Sequence, residues 1–417
     1  MASSYKLGER RRFRMARIAV GVFFFLNGVM TAALSTRLPA VQTKLSLPPG
    51  PLGLALFGCT IGGLVAMNIA ARLSRRFGSK IITIIATLCM GIALLPVALA
   101  PDFPMLVLAL VFSGIGSGAM DIAINIQGAE VEQCYGRPIF NSFHACFSVG
   151  SLLSALLGST LATFNVSPEA HFLALLIGVG AGLVWSSRFL LEPEPVSSVP
   201  GDQTRKVRSL HFSRTLILSG MIAFCTLLSV GAMFDWSALY LSGTLHTGPG
   251  LAAAGFATFL ACSALGRSVG DRLTMRFGEV RLMCSSCVLA AIGLALALLF
   301  AWTPAAFFGL GLVGIGLSVP FPLVLSATAR LFKQDTSVAL ATVTTWGYCG
   351  ILAGPPAIGF VAERAGLRLA LALVVLLCLL AALCSPLLHT KKAEGSLQDH
   401  KQIFHSEMGE RSVDNVH

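Results

Sequence analysis

The sequence predicts an all-α membrane protein with twelve transmembrane helices arranged as two six-helix bundles. Three observations predict it. Of 417 residues, 55% are hydrophobic and only 12% charged, whereas a soluble domain carries roughly a quarter charged residues. Apolar segments long enough to cross a bilayer, about 20 residues each, fill nearly the whole chain, which leaves no room for a large soluble domain and excludes most soluble enzyme folds. The two halves also repeat each other at a fixed offset.

Taking charges and Pro/Gly clusters as punctuation, the first six spans fall at 17–36, 51–71, 81–100, 104–129, 139–163 and 170–191. The second six fall at 215–242, 251–270, 281–302, 304–329, 337–362 and 367–388. Span 1 follows a basic run (Arg10, Arg11, Arg12, Arg14, Arg17) in the manner of a signal peptide. Its apolar stretch continues to Ser35 and further spans follow, so it reads as an uncleaved first helix. Residues 1–16 and 389–417 are the two ends, the latter polar and expected to be disordered. The segment 192–214, with Pro193, Pro195, Pro200 and Gly201, is the linker between a 17–191 bundle and a 215–388 bundle.

Twelve spans put both termini on one side. If that side is cytoplasmic, 26 of the 30 Lys and Arg lie inside, and the four outside are Arg37, Lys44, Arg364 and Arg368. This asymmetry sets the expected orientation, with both termini cytoplasmic in a bacterial inner membrane. A net charge of +11 would suggest nucleic acid in a soluble protein. Here the basic residues sit between apolar segments and report topology, so no nucleic-acid partner is expected. The 11 cysteines lie almost entirely in apolar stretches and read as free thiols packed as small hydrophobes. The Cys284 and Cys287 pair has no visible redox partner or second set of metal ligands, and no cofactor is expected.

With the sequence laid over itself at an offset of 200, Arg72-Leu73 and Arg76-Phe77-Gly78 recur as Arg272-Leu273 and Arg276-Phe277-Gly278. Gly114-Ile115-Gly116 recurs as Gly314-Ile315-Gly316, and Gly150 as Gly350. Each match holds the same place in its own set of six spans. Two six-helix halves related by a parallel repeat are an architecture of secondary transporters.

The loop with Gly266, Gly270-Asp271-Arg272 and Arg276-Phe277-Gly278 resembles the signature between spans 2 and 3, or 8 and 9, of the major facilitator superfamily. In the first-half copy Ala71 stands where the aspartate belongs. The resemblance implies gating roles for Gly270, Asp271, Arg272 and Arg276, and for Arg72 and Arg76 in the first copy. In span 4, Asp121-Ile122-Ala123-Ile124-Asn125, followed by Phe140-Asn141-Ser142-Phe143 and Gly150, is similar to the acidic and F-N-S-F pattern of proton-coupled fucose permeases. Ser35-Thr36-Arg37-Leu38-Pro39, Phe321-Pro322-Leu323 and Gly354-Pro355-Pro356 are similar to a bacterial inner-membrane branch of that superfamily.

Among the acidic residues only Asp121 and Asp235 lie within spans. An acid at bilayer depth needs a cavity or a partner, so Asp121 reads as a proton carrier or as half of a structural ion pair with a cytoplasmic-side arginine. Asp235, near the outer end of span 7, has both readings too, and Trp236 beside it reads as an aromatic anchor. His144 is the histidine placed deep in a span, either a proton relay to Asp121 or a packed side chain. Glu130 and Glu132 near Arg137 read as a solvated loop pair. Asn27, Asn125, Gln127 and Asn141 offer amides to a solute, or glue between helices. Trp346 and Tyr348 offer rings to it, or bundle packing, while Phe140, Phe143 and Phe147 read as core. Span 10 carries Pro320 and Pro322, and span 11 Pro355 and Pro356, at matching places where broken helices mark a site.

These residues predict a secondary transporter working by alternating access on a small polar, sugar-like solute, by proton symport, with protons, solute and lipid as its partners and a monomer as its unit. Proton-coupled efflux of drugs or metabolites is the alternative, and a non-transporting membrane sensor the reading from outside the class. No metalloprotease, serine-hydrolase or phosphate-loop motif occurs, so no enzyme activity is expected.

Overall fold

The computed structural model describes residues 2–135, 139–192, 213–332 and 336–388. The first half contains α1 (Ala2–Lys44), α2 (Pro49–Phe77), α3 (Ser79–Leu99), α4 (Phe103–Tyr135), α5 (Phe140–Thr163) and α6 (Pro168–Ser187). The second contains α7 (Arg214–Leu239), a π-helical turn (Tyr240–Thr244), α8 (Pro249–Phe277), α9 (Glu279–Phe300), α10 (Thr303–Leu317), α11 (Pro320–Leu331), α12 (Thr336–Ala365) and α13 (Leu367–Leu387). Helix starts follow local chemistry. Pro49, Pro168, Pro249 and Pro320 occupy first-turn positions that need no N–H donor, while Ser167 and Ser213 accept from the backbone N–H groups of Ala170 and Leu216.

Eleven segments of the described residues are long and apolar enough to cross a membrane, with α10 and α11 together making one. The 30-residue α12 is the twelfth. The tenth span is interrupted at Ser318 and Val319, just before Pro320, whereas α12 runs unbroken through Pro355 and Pro356. Large apolar side chains on the outside, such as Leu108, Ile177, Leu265, Leu369 and Leu383, are exposed. On a soluble protein such a surface would aggregate; here it faces lipid.

The sequence repeat reappears as repeated packing. α4 lies on α2 as α10 lies on α8, and α1 on α5 as α7 on α12. A side chain at Gly114 would overlap the Cys59 carbonyl, and one at Gly314 the Phe259 carbonyl. Likewise Gly116 meets the backbone of Met90 and Gly316 that of Ala290. Gly78 and Gly278, at φ 89° and 78°, make the sharp turns from α2 into α3 and from α8 into α9, a conformation that disfavours any residue with a Cβ.

The face where α1 begins and α13 ends is here called the terminal face, its opposite the far face. On the far face the halves share one apolar core, joining Leu38, Leu52 and Leu56 to Trp236, Tyr240 and Ile358. Two seams close it. Gly53 of α2 lies against Pro355 and Gly359 of α12, and Ser159 Oγ of α5 donates to the Gly250 carbonyl of α8 at 2.7 Å. Toward the terminal face the core divides into one cluster per half, around Phe23, Phe24 and Phe143 in the first and Ile222, Leu323 and Val343 in the second. His144 and Ala145 of the first half and Arg267 of the second are exposed where the core divides, and the gap between the halves on this side is here called the cleft.

Several expectations need correction. α1 continues well past residue 36, because Arg37 is not a helix-ending surface charge: it is 3% exposed and its Nε donates to His171 Nδ1 at 2.9 Å. Trp236 is not an interface anchor, since it is 1% exposed within the far-face core. Glu130 and Glu132 are not a loop pair. Glu130 accepts from Ser79, and one Glu132 oxygen accepts from the N–H groups of Ile139 and Phe140 at 2.7 Å each, capping α5. Arg137, the linker 193–212 and the tail 389–417 lie outside the described residues.

Candidate functional site

Asp121 stands on α4 near the middle of the membrane span, on a face otherwise lined by small residues. Asn125, one turn later, donates through Nδ2 to the Asp121 carbonyl at 2.7 Å and to its Oδ1 at 3.4 Å. No Lys, Arg or His nitrogen among the described residues lies within 4.0 Å of its carboxylate, so the structural ion pair is not formed here. Tyr348 of α12, in the other half, is within electrostatic range of Asp121. Asp121 and Asn125 thus form one group on α4, with Tyr348 of the other half in electrostatic range.

His144, on the second turn of α5, is exposed to the cleft and packs edge-on to Phe24, with ring centroids 5.1 Å apart, and against Phe140 at 5.3 Å. Phe143 stacks on Phe24 at 5.6 Å and is buried, so this part of the phenylalanine stripe is core. Asp235 of α7 is half-buried toward the far face, in electrostatic range of Cys59 of α2. It is separate from the Asp121 group.

The amides divide. Gln127 is fully buried and committed: Nε2 donates to Ser79 Oγ at 2.7 Å and to the Leu191 carbonyl at 2.9 Å, while Oε1 accepts from Leu191 N–H. It ties α4 to α3 and to the end of α6, with nothing left for a solute. Asn27 is 4% exposed, and its Oδ1 has no partner among the described residues. The side chains of Asn141 on α5 and Asp271 on α8 lie outside the described residues. Trp346 packs its indole onto Gly220 of α7 and is half-buried.

The signature-loop arginines sit at the terminal-face ends of their helices. Arg76 and Arg276 each lie over the ring of the following phenylalanine, Phe77 at 5.1 Å and Phe277 at 5.5 Å, while Arg72 and Arg272 are exposed. Gly270 of α8 packs against Val319 at the break between α10 and α11. At the same end Arg330 of α11 pairs with Glu279 of α9.

One residue escaped the sequence reading. Arg267, counted there among the basic residues of the inside loops, lies on α8 facing the cleft, where its Nη1 donates to Ser148 Oγ of α5 at 3.3 Å across the two halves. Its side chain is exposed between the halves and within electrostatic range of His144. The signal was present in the sequence. An arginine four residues before a signature aspartate stands one helical turn inside the span, not in the loop.

Comparison with known proteins settles the family. The family model described as Major Facilitator Superfamily matches residues 20–257 and 218–404. The chain belongs to the major facilitator superfamily. An uncharacterized MFS-type transporter of Yersinia pestis is 31% identical over 369 residues, covering 88% of this chain and 94% of that one. Among solved structures, a nucleoside transporter superposes with a TM-score of 0.74 at 13% identity, covering 90% of this chain and all of that one. A D-xylose-proton symporter superposes with a TM-score of 0.67 at 15% identity, covering 88% of this chain and 96% of that one. This facilitator is accordingly a multi-pass secondary transporter of a small-molecule solute, and not an enzyme.

Proposed function

We propose that this facilitator takes up a small polar, sugar-like solute by proton symport across a bacterial inner membrane, with both termini in the cytoplasm and Asp121 carrying the proton. The observation that carries the reading is the state of Asp121: a half-buried carboxylate midway along α4, with an amide from its own helix and no cationic partner among the described residues. An acid so placed is costly to keep ionised, and proton uptake removes the cost. Tyr348 opposite, and Asn125 beside it, supply hydroxyl and amide groups where a solute would bridge the halves. The basic asymmetry of the loops supports the orientation, and with that orientation the cleft opens to the cytoplasm. Coupling to one proton makes about 2.3 kcal/mol available per 100 mV of membrane potential.

The test is uptake into proteoliposomes of solutes selected by a thermal-shift screen of sugars, polyols and organic acids. An inward-directed proton gradient should drive accumulation, and a protonophore should abolish it. Accumulation of solute only against the proton flow, that is, by exchange, would replace symport with efflux.

A further inference from the structure

The cleft contains an arginine without a counter-ion among the described residues. Beside it is a narrow recess between the halves, lined by Ser148 and Ser151 of α5, Ser263 of α8, the rings of Phe147 and Phe259, and Arg267 itself. Among the described residues the guanidinium makes one hydrogen bond, to Ser148 Oγ, and no carboxylate oxygen lies within 4.0 Å. Asp121 and Asp235, the two acids in the spans, are therefore not its partners. The serine is itself committed, since Ser148 Oγ donates to the His144 carbonyl at 3.1 Å. Ser151 likewise donates to the Gly28 carbonyl at 3.2 Å.

A guanidinium has five N–H donors in a planar fork that matches a carboxylate with two parallel bonds. At membrane depth a cation without a partner is expensive, and such groups mark substrate pathways. The Phe147 and Phe259 rings line the recess beside the guanidinium, and apolar walls there strengthen charge pairing relative to open water. We propose that the transported solute carries a carboxylate, that Arg267 is its counter-ion, and that the polyhydroxylated remainder of the molecule lies in the cleft toward Asn125 and Tyr348. The substrate class is thus a sugar acid, not a neutral sugar. This rests on the transporter reading above and narrows its solute. It also fits the charge arithmetic of symport: with Asp121 protonated, the site presents one net positive charge to one negative solute.

The experiment is a thermal-shift and titration comparison of purified full-length protein with matched probes: glucuronate, galacturonate and gluconate against glucose, galactose and sorbitol. At least one acid should raise the melting temperature where its neutral partner does not. Arg267→Gln should weaken binding of that acid by about ten- to hundredfold, the range for losing a charge-assisted hydrogen-bonded pair. Arg267→Lys should recover part of it, because the charge returns without the fork. Stabilisation by the neutral sugars alone, or by none of the acids, overturns the proposal. So does an Arg267→Gln protein that melts early yet binds the acid at full strength, since Arg267 is then a packing residue. Binding needs no proton gradient, so acid binding without gradient-driven accumulation would sink the symport reading and leave this one standing.

Discussion

Arg37 Nε donates to His171 Nδ1 at 2.9 Å, and both residues are almost wholly buried where α1 meets α6. Because Nδ1 accepts, the ring proton sits on Nε2, which has no partner among the described residues; neither has Nη2 of the arginine. The pair holds a buried cation with one neutral acceptor. The two single substitutions should therefore differ. His171→Leu strands a guanidinium and should cost about 3 to 5 kcal/mol, whereas Arg37→Met removes the charge and leaves a neutral ring, at about 1 to 3 kcal/mol. Unfolding of the purified variants in detergent measures both, and the double variant should be no worse than His171→Leu alone. Equal costs for the two singles would mean that the charge is neutralised by a group other than His171.

The far-face seam between α2 and α12 depends on two glycines in contact. A side chain on Gly359 would meet the Pro49 carbonyl at 2.7 Å and the Gly53 Cα at 3.0 Å. Packed backbones have no room to yield there, so Gly359→Leu should wedge the halves apart on the far face. Cys59, half-buried near Asp235, then becomes reachable by a membrane-impermeant maleimide added from that side. Mass spectrometry should find it modified several-fold faster than in the wild type, with transport lost. Unchanged Cys59 labelling would show that this seam does not hold the face shut.

Within each half, the repeated glycines should be equally intolerant. Gly114→Val and Gly314→Val both force a side chain into a neighbouring carbonyl and should each destabilise by about 1 to 3 kcal/mol or more. At Gly178 of α6 a Cβ would meet nothing within 4 Å, so Gly178→Ala should be neutral or gain up to about 1 kcal/mol from helix propensity. Melting temperatures of the three variants decide it. A tolerated Gly314→Val beside a damaging Gly114→Val would mean that the halves do not pack alike.

Much of this architecture was legible because its signals are periodic or repeated. Apolar runs located the helices, and the Arg-Phe-Gly and Gly-Ile-Gly repeats showed that the halves are related; that the latter lie where α4 crosses α2 and α10 crosses α8 came from the structure. Reading charge as punctuation failed where a charge points inward. Arg37 ended span 1 too early, since its partner His171 is 134 residues away; Arg267 was counted with a loop, since its partner Ser148 is 119 residues away. Gln127 and Asn125 show the same limit. Two residues apart on α4, they face different neighbours, so one amide is locked into α3 and the other lies beside Asp121. A one-dimensional pattern gives the face of a helix, not what stands opposite.

Asp121 carries the final prediction. Its carboxylate has Asn125 for company and no cation within 4.0 Å among the described residues, so replacing it by an amide strands no buried partner. Asp121→Asn should therefore fold, since a neutral amide costs less to bury than a charge. It deletes the titratable group while keeping a hydrogen-bonding surface of similar shape. Accumulation against a gradient should vanish, while exchange of solute across the membrane persists and loses its dependence on pH. Asp121→Glu should retain part of the coupling with a displaced pH optimum, because the acid survives at a shifted position. The measurement is paired: uphill uptake under an imposed proton gradient, and counterflow of labelled solute without one, in the same proteoliposomes. Wild-type accumulation by the Asn variant would place the proton elsewhere, with Asp235 and His144 next in line. Loss of both accumulation and counterflow in a protein that still folds would instead make Asp121 a solute-binding residue with no separable role in coupling.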